Sequence, residues 1–322
     1  MTNTRSFARS LSNAQMQSLH NATNEQDHWW RDLLSLWKPS GTDSGDYGLR
    51  LAVRKGYLNF YRKGQSIARV SFDRAGAPKL SVHVKYVCSD EERGAAGQTY
   101  ANLKAREITH SDLTARPYES VETIKGWIDV VNLHYAAVGG EKPLIDQLLD
   151  NQANDCVVDL EMGLPAPTGE RSAPRMDVVT IEEVDGRLAV IFGEVKRIDD
   201  SRVRSSTGAP EVINQLKKYE LYLADEAHRT AISDAYRAVA VRMTELAVMA
   251  RAVGSDITLA DTVARAAAGE ALDVRREAVL VVVRSGEQGE GNWENLHKPR
   301  FAGQLKFVEV RPGEAMNLGA VV

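Results

Sequence analysis

The sequence has few of the residues on which several protein classes depend. Two cysteines among 322 residues are too few for a disulfide framework or a multi-cysteine metal site, which is typical of a reducing compartment. The N-terminal segment lacks the apolar stretch of a secretory signal. The longest apolar run, Ala278–Val283, is far below the ~18 residues of a membrane span. We therefore expect a soluble, cytoplasmic protein with no membrane partner.

The chain also lacks an excess of charge of either sign. Lys and Arg number 40 and Asp and Glu number 44, and this net charge of −4 gives no overall reason to expect a nucleic-acid partner. No Gly-x-x-x-x-Gly-Lys-Ser/Thr motif occurs, so the P-loop class of nucleotide hydrolysis is not predicted. The hydrophobic fraction of 43% allows a buried core, and 322 residues are enough for roughly two domains.

Residues 1–140 are predicted to form a small β-rich domain with helices before and after the strands. Thr23–Trp37 has apolar residues at helical spacing, which predicts an amphipathic helix. Gly48–Val87 alternates polar and apolar residues between turn signals and predicts four antiparallel strands. A loop over Cys88–Gln98 and further polar residues lead to a helix over Tyr118–Ala137, which a Gly-Gly pair ends.

Residues 141–322 are predicted to form a second domain of mixed α/β type. Helices and strands alternate there in the way that builds such domains. The predicted helices are Lys142–Ala153, Pro210–Ala224 and Ala-rich segments to Ala268, and the predicted strands are Cys156–Met162, Arg175–Val184, Arg187–Lys196, Ala278–Arg284 and Leu305–Val310.

A β-hairpin in this second domain brings two acidic residues together. Asp185-Gly186 between two apolar runs is the strongest short-range hairpin signal. A two-residue turn fixes the register of the strands and puts Asp177 directly opposite Glu194. Because side chains alternate along a strand, Lys196 lies on the same face as Glu194. Both faces of the hairpin are otherwise apolar, so these three residues lie at one end of a buried sheet.

Like charges that face each other in buried surroundings are destabilising unless a cation lies between them. Asp177, Glu194 and the main-chain carbonyl of Val195 form a hard-oxygen set that suits Mg²⁺ or Mn²⁺. The Lys196 ammonium would lie beside the metal, where it can hold the attacking water or offset charge on a phosphorane-like transition state. This chemistry suits phosphodiester hydrolysis. The alternative is a salt bridge between Glu194 and Lys196 at a strand end, with no catalytic role.

An acidic residue on one strand and Glu-x-Lys on the next resemble the motif of the PD-(D/E)xK nuclease superfamily. The matching segments are Arg175-Met176-Asp177, where Met176 replaces the family's usual Pro, and Gly193-Glu194-Val195-Lys196. Gln215 and Tyr219 look like the Gln-x-x-x-Tyr motif of a branch that includes exonuclease domains of recombination helicases and several anti-phage nucleases. The resemblance covers about Glu141 to Asp225.

The resemblance implies a restriction-endonuclease-like mixed sheet flanked by helices, preceded by the smaller antiparallel β-rich module, so the expected fold class is α/β, or α+β overall. It implies a nuclease with DNA favoured over RNA, in bacterial genome defence or DNA processing. A protein partner in a defence system and a homo-oligomer are further expectations, since cutting both strands often needs two active sites.

The resemblance also implies roles for residues outside the hairpin. It places Gln215 and Tyr219 at the active site, in contact with the substrate. The alternative is that Tyr219 belongs to a buried helix stripe and Gln215 is a solvated neighbour. Family members often add another acid, for which Glu141, Asp146 and Glu161 are candidates. Glu161 is preferred because it lies late in a strand.

The predicted strands of Gly48–Val87 are strongly basic. They carry nine Lys or Arg residues against one acid, a net charge of +8, so the remainder of the chain carries −12. Basic residues interleaved with aromatics suit phosphate contacts and base stacking. The predicted nucleic-acid contacts are Arg54, Lys55, Tyr57, Arg62 and Lys63. Two alternatives stay open: a solvated basic face over an aromatic core, and a surface that binds an acidic protein, including the other half of this chain.

Two other functions remain as alternatives to a nuclease. The first is a catalytically inactive nuclease-fold module that binds nucleic acid or serves in assembly. The second is an interaction protein in which Asp177, Glu194 and Lys196 form only a structural ion cluster.

Overall fold

The residues described by the computed structural model are 7–89, 92, 99–135, 140–165, 175–205, 208–284 and 290–322. Two sheets form the scaffold within these ranges. The first has seven antiparallel strands and the second has six strands with mixed directions. The mixed α and β class is therefore confirmed. None of the helices in these ranges combines the length and the apolar character needed to cross a bilayer.

The first sheet is a meander in which each strand pairs with the next along the chain. The strands are β1 (Arg50–Arg54), β2 (Tyr57–Arg62), β3 (Gln65–Phe72), β4 (Pro78–His83), β5 (Tyr100–Lys104), β6 (Glu107–His110) and β7 (Leu113–Pro117). The four predicted strands and their turns are confirmed. Strands β5 to β7 are not predicted, because strands that bury few residues show little apolar alternation in the sequence. Strands β5 and β6 each bury one residue, Ala101 and Ile108, and β7 buries none.

Helices precede and follow the first sheet. The predicted single helix over Thr23–Trp37 is wrong, since two helices occur there: α1 (Asn13–Asn24) and α2 (Trp29–Leu36). The break is stabilised by His28, whose side chain accepts the Trp30 N–H and caps α2. After the sheet comes α3 (Val121–His134), which agrees with the described part of the predicted helix.

The second sheet has the strand order β13-β12-β10-β9-β8, with β11 beside β10. Its strands are β8 (Val157–Gly163), β9 (Arg175–Val184), β10 (Arg187–Arg197), β11 (Leu272–Val274), β12 (Val279–Val283) and β13 (Lys306–Val310). Strands β9 and β10 form the predicted hairpin, and its register is confirmed from Val184 opposite Arg187 to Val178 opposite Gly193. Strands β12 and β13 continue the sheet parallel to β10.

Helices cover both faces of the second sheet. The helices of this half are α4 (Glu141–Asp150), α5 (Glu211–Leu223), α6 (Glu226–Ala252), α7 (Asp261–Ala267) and the short α8 (Glu290–Asn292). Alternate residues of β10 enter two apolar clusters, as expected for a strand buried on both faces. Phe192 belongs to the larger cluster, with α5, α6 and the first sheet, whereas Ile191 belongs to the smaller cluster, with α4.

A buried ion cluster joins the two sheets. Asp159 of β8 is 1% exposed and pairs with the Arg54 guanidinium of β1, and its Oδ2 accepts the Tyr236 hydroxyl of α6 at 3.1 Å. Arg9 approaches the same carboxylate at 3.4 Å. Arg54 also donates to the Leu160 carbonyl at 2.5 Å. This side of the basic sheet therefore binds the acidic half of the chain.

The burial of these arginines changes the predicted nucleic-acid surface. Arg54 and Arg62 are buried, and Arg62 donates to the carbonyls of Gly45 and Gly48, so neither is available to phosphates. Their long side chains reach inward because internal carbonyl and carboxylate oxygens bind the guanidinium groups. Lys55 is exposed, and Tyr57 and Lys63 are partly exposed, so the surface prediction stays open for those three.

We predict that Arg54→Met lowers the free energy of unfolding by about 3–5 kcal/mol, because it removes the closest cation from a buried carboxylate. Urea unfolding followed by circular dichroism measures this change. The control is Lys55→Met at the neighbouring exposed position, which should change stability by less than about 0.5 kcal/mol. Equal effects of the two substitutions would contradict a structural role for the ion cluster.

Candidate active site

Three carboxylates from three elements meet at the end of the β9–β10 hairpin farthest from its turn. Their common partner is the ammonium of Lys196 on β10, a side chain that is only 1% exposed. Its Nζ lies 2.6 Å from Glu194 Oε1, 3.3 Å from Asp177 Oδ2 and 3.3 Å from Glu141 Oε2. It also donates to the Val195 carbonyl at 2.6 Å. The structure therefore brings Asp177, Glu194 and Lys196 together.

The hairpin register explains how Asp177 reaches this position. The pairing of β9 with β10 ends at Val178 and Gly193. Asp177 is therefore the first residue of β9 beyond the segment that pairs with β10. Its Oδ2 accepts the main-chain N–H of Val195 at 2.8 Å. The Asp177 side chain thus accepts the Val195 N–H in place of a main-chain carbonyl of a paired strand.

Helix α5 supplies the two residues of the Gln-x-x-x-Tyr pattern. They are four apart and so lie on one helix face. The Gln215 amide donates to Glu194 Oε1 at 2.7 Å and to the Tyr219 hydroxyl oxygen at 3.0 Å, and that hydroxyl donates to the Arg175 carbonyl. Tyr219 is fully buried, as the stripe alternative expected, and a substrate contact by its side chain stays a prediction. In this structure Tyr219 holds Gln215 against Glu194.

Among the three candidate additional acids, Glu141 joins the cluster. It is the first residue of α4, and its Oε2 also lies 3.3 Å from Arg202 Nη2. Glu161, the preferred candidate, instead pairs with Lys142 at 3.1 Å and approaches Arg175 at 4.0 Å, so its role as a ligand stays a prediction. Asp146 is buried elsewhere on α4 and accepts the Lys63 N–H.

Sequence reasoning did not separate these acids because each has an ordinary explanation. A Glu in the first turn of a helix is favoured by the helix dipole whatever its function. Only the packing of α4 against β10 shows which acid reaches Lys196. Arg202 was missed altogether, since it lies in an irregular loop that has no periodic pattern.

Burial and mutual repulsion shift the proton affinity of the cluster. Desolvation, followed by the charge of Glu194, raises the pKa of Asp177 to about 8. Desolvation also raises the pKa of Glu194, although the neighbouring Lys196 opposes this shift. Burial would lower the pKa of Lys196, but the surrounding carboxylates outweigh it and raise that pKa. The ammonium therefore stays charged. The carboxylates have too little positive charge around them to offset the effect of burial on their pKa values.

The donor atoms fit a hard divalent cation in their chemistry. Carboxylate and carbonyl oxygens are the ligands that Mg²⁺ and Mn²⁺ prefer. Glu194 Oε2 is buried and has no hydrogen-bond partner within the described ranges, which leaves one strong acceptor unused. Within the described ranges, no three His, Cys, Asp or Glu side chains are already arranged as metal ligands. In this arrangement the Lys196 ammonium lies where the three carboxylates converge.

Comparison of the chain with protein-family models, with curated proteins and with solved structures gives no match. The interpretation of this site therefore depends on its geometry and chemistry.

We predict that the metal-free protein loses stability as the pH rises from about 4 to 8. An unfolded Asp has a pKa of about 3.9, so between these values the folded state, with Asp177 at about 8, binds more protons than the unfolded state. Asp177→Asn should reduce this loss and raise the melting temperature at pH 8 in chelator.

Thermal unfolding at pH 5 and pH 8 in the presence of chelator measures this effect. The control is Asp234→Asn, which changes an exposed acid on α6. If Asp177→Asn keeps the pH dependence of the unchanged protein, Asp177 does not carry the raised pKa.

Proposed function

We propose that the chain is a metal-dependent nuclease that hydrolyses phosphodiester bonds in nucleic acid, with DNA favoured over RNA. The observation that carries the proposal is the buried Lys196 ammonium surrounded by Asp177, Glu194 and Glu141. Burying several charges together carries a large desolvation cost, and compared with apolar residues of similar volume it is often neutral or unfavourable for stability. Strongly shifted ionisable groups of this kind concentrate at functional sites.

The restriction-endonuclease-like fold is part of the proposal. Its support is the order of elements around the site: α4, the antiparallel strands β8 to β10, the helix α5 with Gln215 and Tyr219, and the parallel strand β12. This order matches the expected mixed sheet flanked by helices. The resemblance of the motifs and the arrangement of the elements thus point to the same class.

Asp177, Glu194 and the Val195 carbonyl are the proposed ligands of Mg²⁺ or Mn²⁺. Such an ion, when bound, polarises a phosphoryl oxygen and makes water a stronger nucleophile at neutral pH. The free oxygen Oε2 of Glu194 supports this assignment. Gln215 fixes the other oxygen of the same carboxylate and so sets its orientation. Outer partners of this kind commonly decide the geometry of a ligand.

Lys196 is proposed to act on the water and on the transition state. Its ammonium carries three N–H donors, which four oxygen atoms share here, so it can donate to a water molecule once one of these oxygens binds the metal instead. As the nucleophile adds to phosphorus, negative charge grows on the phosphoryl oxygens. A fixed ammonium in a buried site stabilises that charge more than it would in water.

Exposed cations next to the acidic cluster support a polyanionic substrate. Lys142, Arg175 and Arg202 have side chains that are 44%, 73% and 38% exposed. Lys142 follows Glu141, Arg202 contacts Glu141, and the Arg175 carbonyl accepts the Tyr219 hydroxyl. Exposed cations close to the acidic cluster would attract the phosphates of a nucleic acid. The exposed Lys55 and the partly exposed Tyr57 and Lys63 remain proposed contacts farther along the first sheet.

The wider context is proposed from the resemblance alone. It includes a homo-oligomer that cuts both strands, a defence-system partner, and a role in bacterial genome defence or DNA processing. The low cysteine content supports work in a reducing compartment.

One observation favours a second candidate, an interaction protein in which the acidic residues and Lys196 are only structural. Lys196 already occupies the point where the three carboxylates converge, so the cluster is partly neutralised without a metal. In that case the four residues form a structural ion cluster, and divalent cations have no effect on the protein.

We predict that Lys196→Met lowers kcat for DNA cleavage by about 100-fold or more, because it removes the ammonium that stabilises the transition state. Cleavage of single- and double-stranded DNA and RNA should require Mg²⁺ or Mn²⁺ and stop in chelator. The matched control is Lys306→Met, an exposed lysine on the edge strand β13, which should leave kcat unchanged.

An unchanged kcat in Lys196→Met, or cleavage that persists in chelator, would exclude the proposed mechanism. Absence of cleavage by the unchanged protein, together with the absence of any shift in its melting temperature on addition of Mn²⁺, would favour the structural ion cluster.

A second prediction concerns Tyr219→Phe. Loss of the hydroxyl frees the Gln215 amide and the Arg175 carbonyl, so Glu194 loses its fixed orientation. We expect kcat to fall about 10-fold with little change in KM, as for other outer partners of a ligand. Steady-state cleavage assays measure both constants, and Tyr222→Phe on the same helix is the control. A change in KM alone would instead indicate a role in substrate binding.

A further inference from the structure

One face of α4 binds the first sheet at three points. The residues are Lys142, Asp146 and Asp150, which are four apart and therefore lie along the same side of the helix. The opposite side carries Leu144 and Leu148, which pack in the apolar cluster of the second sheet. The helix is thus held between the two sheets, and its first residue is Glu141.

Arg50 of β1 makes the attachment at Asp150. It is 2% exposed, and its Nη2 pairs with the Asp150 carboxylate. Its Nη1 donates to the carbonyls of Lys38, Pro39 and Thr42 at 3.1, 2.6 and 3.0 Å. A planar guanidinium bound on several sides has little freedom to rotate. The end of α4 is therefore fixed to the chain that leads into the first sheet.

The turn between β2 and β3 makes the other two attachments. The buried Asp146 accepts the main-chain N–H of Lys63 at 2.5 Å, and Lys142 Nζ donates to the Gly64 carbonyl at 3.2 Å. Gly64 has a φ of +66°, and a Cβ atom there would lie 2.6 to 2.8 Å from three carbons of the Lys142 side chain. Only glycine fits this contact without displacing Lys142.

These contacts lead directly to the acidic cluster. Glu141 precedes Lys142, and its carboxylate is 3.3 Å from Lys196 Nζ. We infer that the first sheet positions Glu141 beside Lys196 by holding α4, and that Arg50 is a positioning residue for this cluster. The effect on catalysis rests on the proposed nuclease function, whereas the placement of Glu141 does not.

The test uses the signal of the Lys196 ammonium in the full chain labelled with ¹⁵N-lysine. A buried ammonium with four oxygen partners exchanges its protons slowly and should give a resolved ¹H–¹⁵N peak, which Lys196→Met identifies. Glu141→Gln should shift this peak, because a charged partner at 3.3 Å is lost. Arg50→Met should shift the peak in the same direction.

The control is Val82→Ala, a fully buried position on β4 that weakens the first sheet and belongs to a different apolar cluster from α4. It should leave the Lys196 peak in place. If Arg50→Met does not fold, Asp150→Asn tests the same attachment more mildly and should give a smaller shift in the same direction. Adding Arg50→Met or Asp150→Asn to Glu141→Gln should shift the peak no further than Glu141→Gln alone, since both changes act through the Glu141 carboxylate.

An unchanged peak in both Arg50→Met and Asp150→Asn would overturn the inference, and so would an unchanged peak in Glu141→Gln or an equal shift in Val82→Ala. Cleavage assays give a separate result: kcat of Arg50→Met should fall about 10-fold with KM within about twofold. If the peak shifts as expected but the unchanged protein cleaves no nucleic acid, the positioning stands and the proposed function fails.

Discussion

The burial of arginines from the first sheet against carboxylates of the second half is the interaction on which the arrangement of the molecule depends. Arg54 meets Asp159 on β8, and Arg50 meets Asp150 on α4. A buried charge is strongly unfavourable without a partner, so each of these groups fixes where the other must lie. The segregation of charge along the chain, +8 in the strands of Gly48–Val87 and −12 in the remainder, reflects in part an internal interface.

The second constraint is the register of the β9–β10 hairpin, which decides the position of the acidic cluster. Because the pairing ends at Val178 and Gly193, Asp177 binds the Val195 N–H and faces Lys196. The first constraint places α4 and the second places β10, and Glu141 meets Lys196 only when both are satisfied. The cluster is therefore a property of the whole assembly of the two sheets.

This division also explains how much the sequence could predict. The hairpin, its register and the first four strands depend on local turn chemistry and alternation, so they were predicted correctly. Strands β5 to β7 bury almost no apolar residues, and each is held by pairing with the strand before it, beginning with β5 on β4. The choice of Glu141 over Glu161, and the inward direction of Arg54, depend on contacts between distant segments. A count of charges cannot distinguish a buried arginine from an exposed one.

The charge balance of the cluster links its structure to its proposed chemistry. Three carboxylates and one ammonium leave two negative charges if all four groups are ionised. Burial, and after it the charge of Glu194, raises the pKa of Asp177 to about 8, so protonation reduces this excess in the protein alone. A divalent cation supplies the two missing charges, and Glu194 Oε2 offers it a buried acceptor that no described group uses. Protons and a divalent cation would thus compete for the same carboxylates, so a metal-dependent activity at this site should rise with pH while Lys196 remains charged.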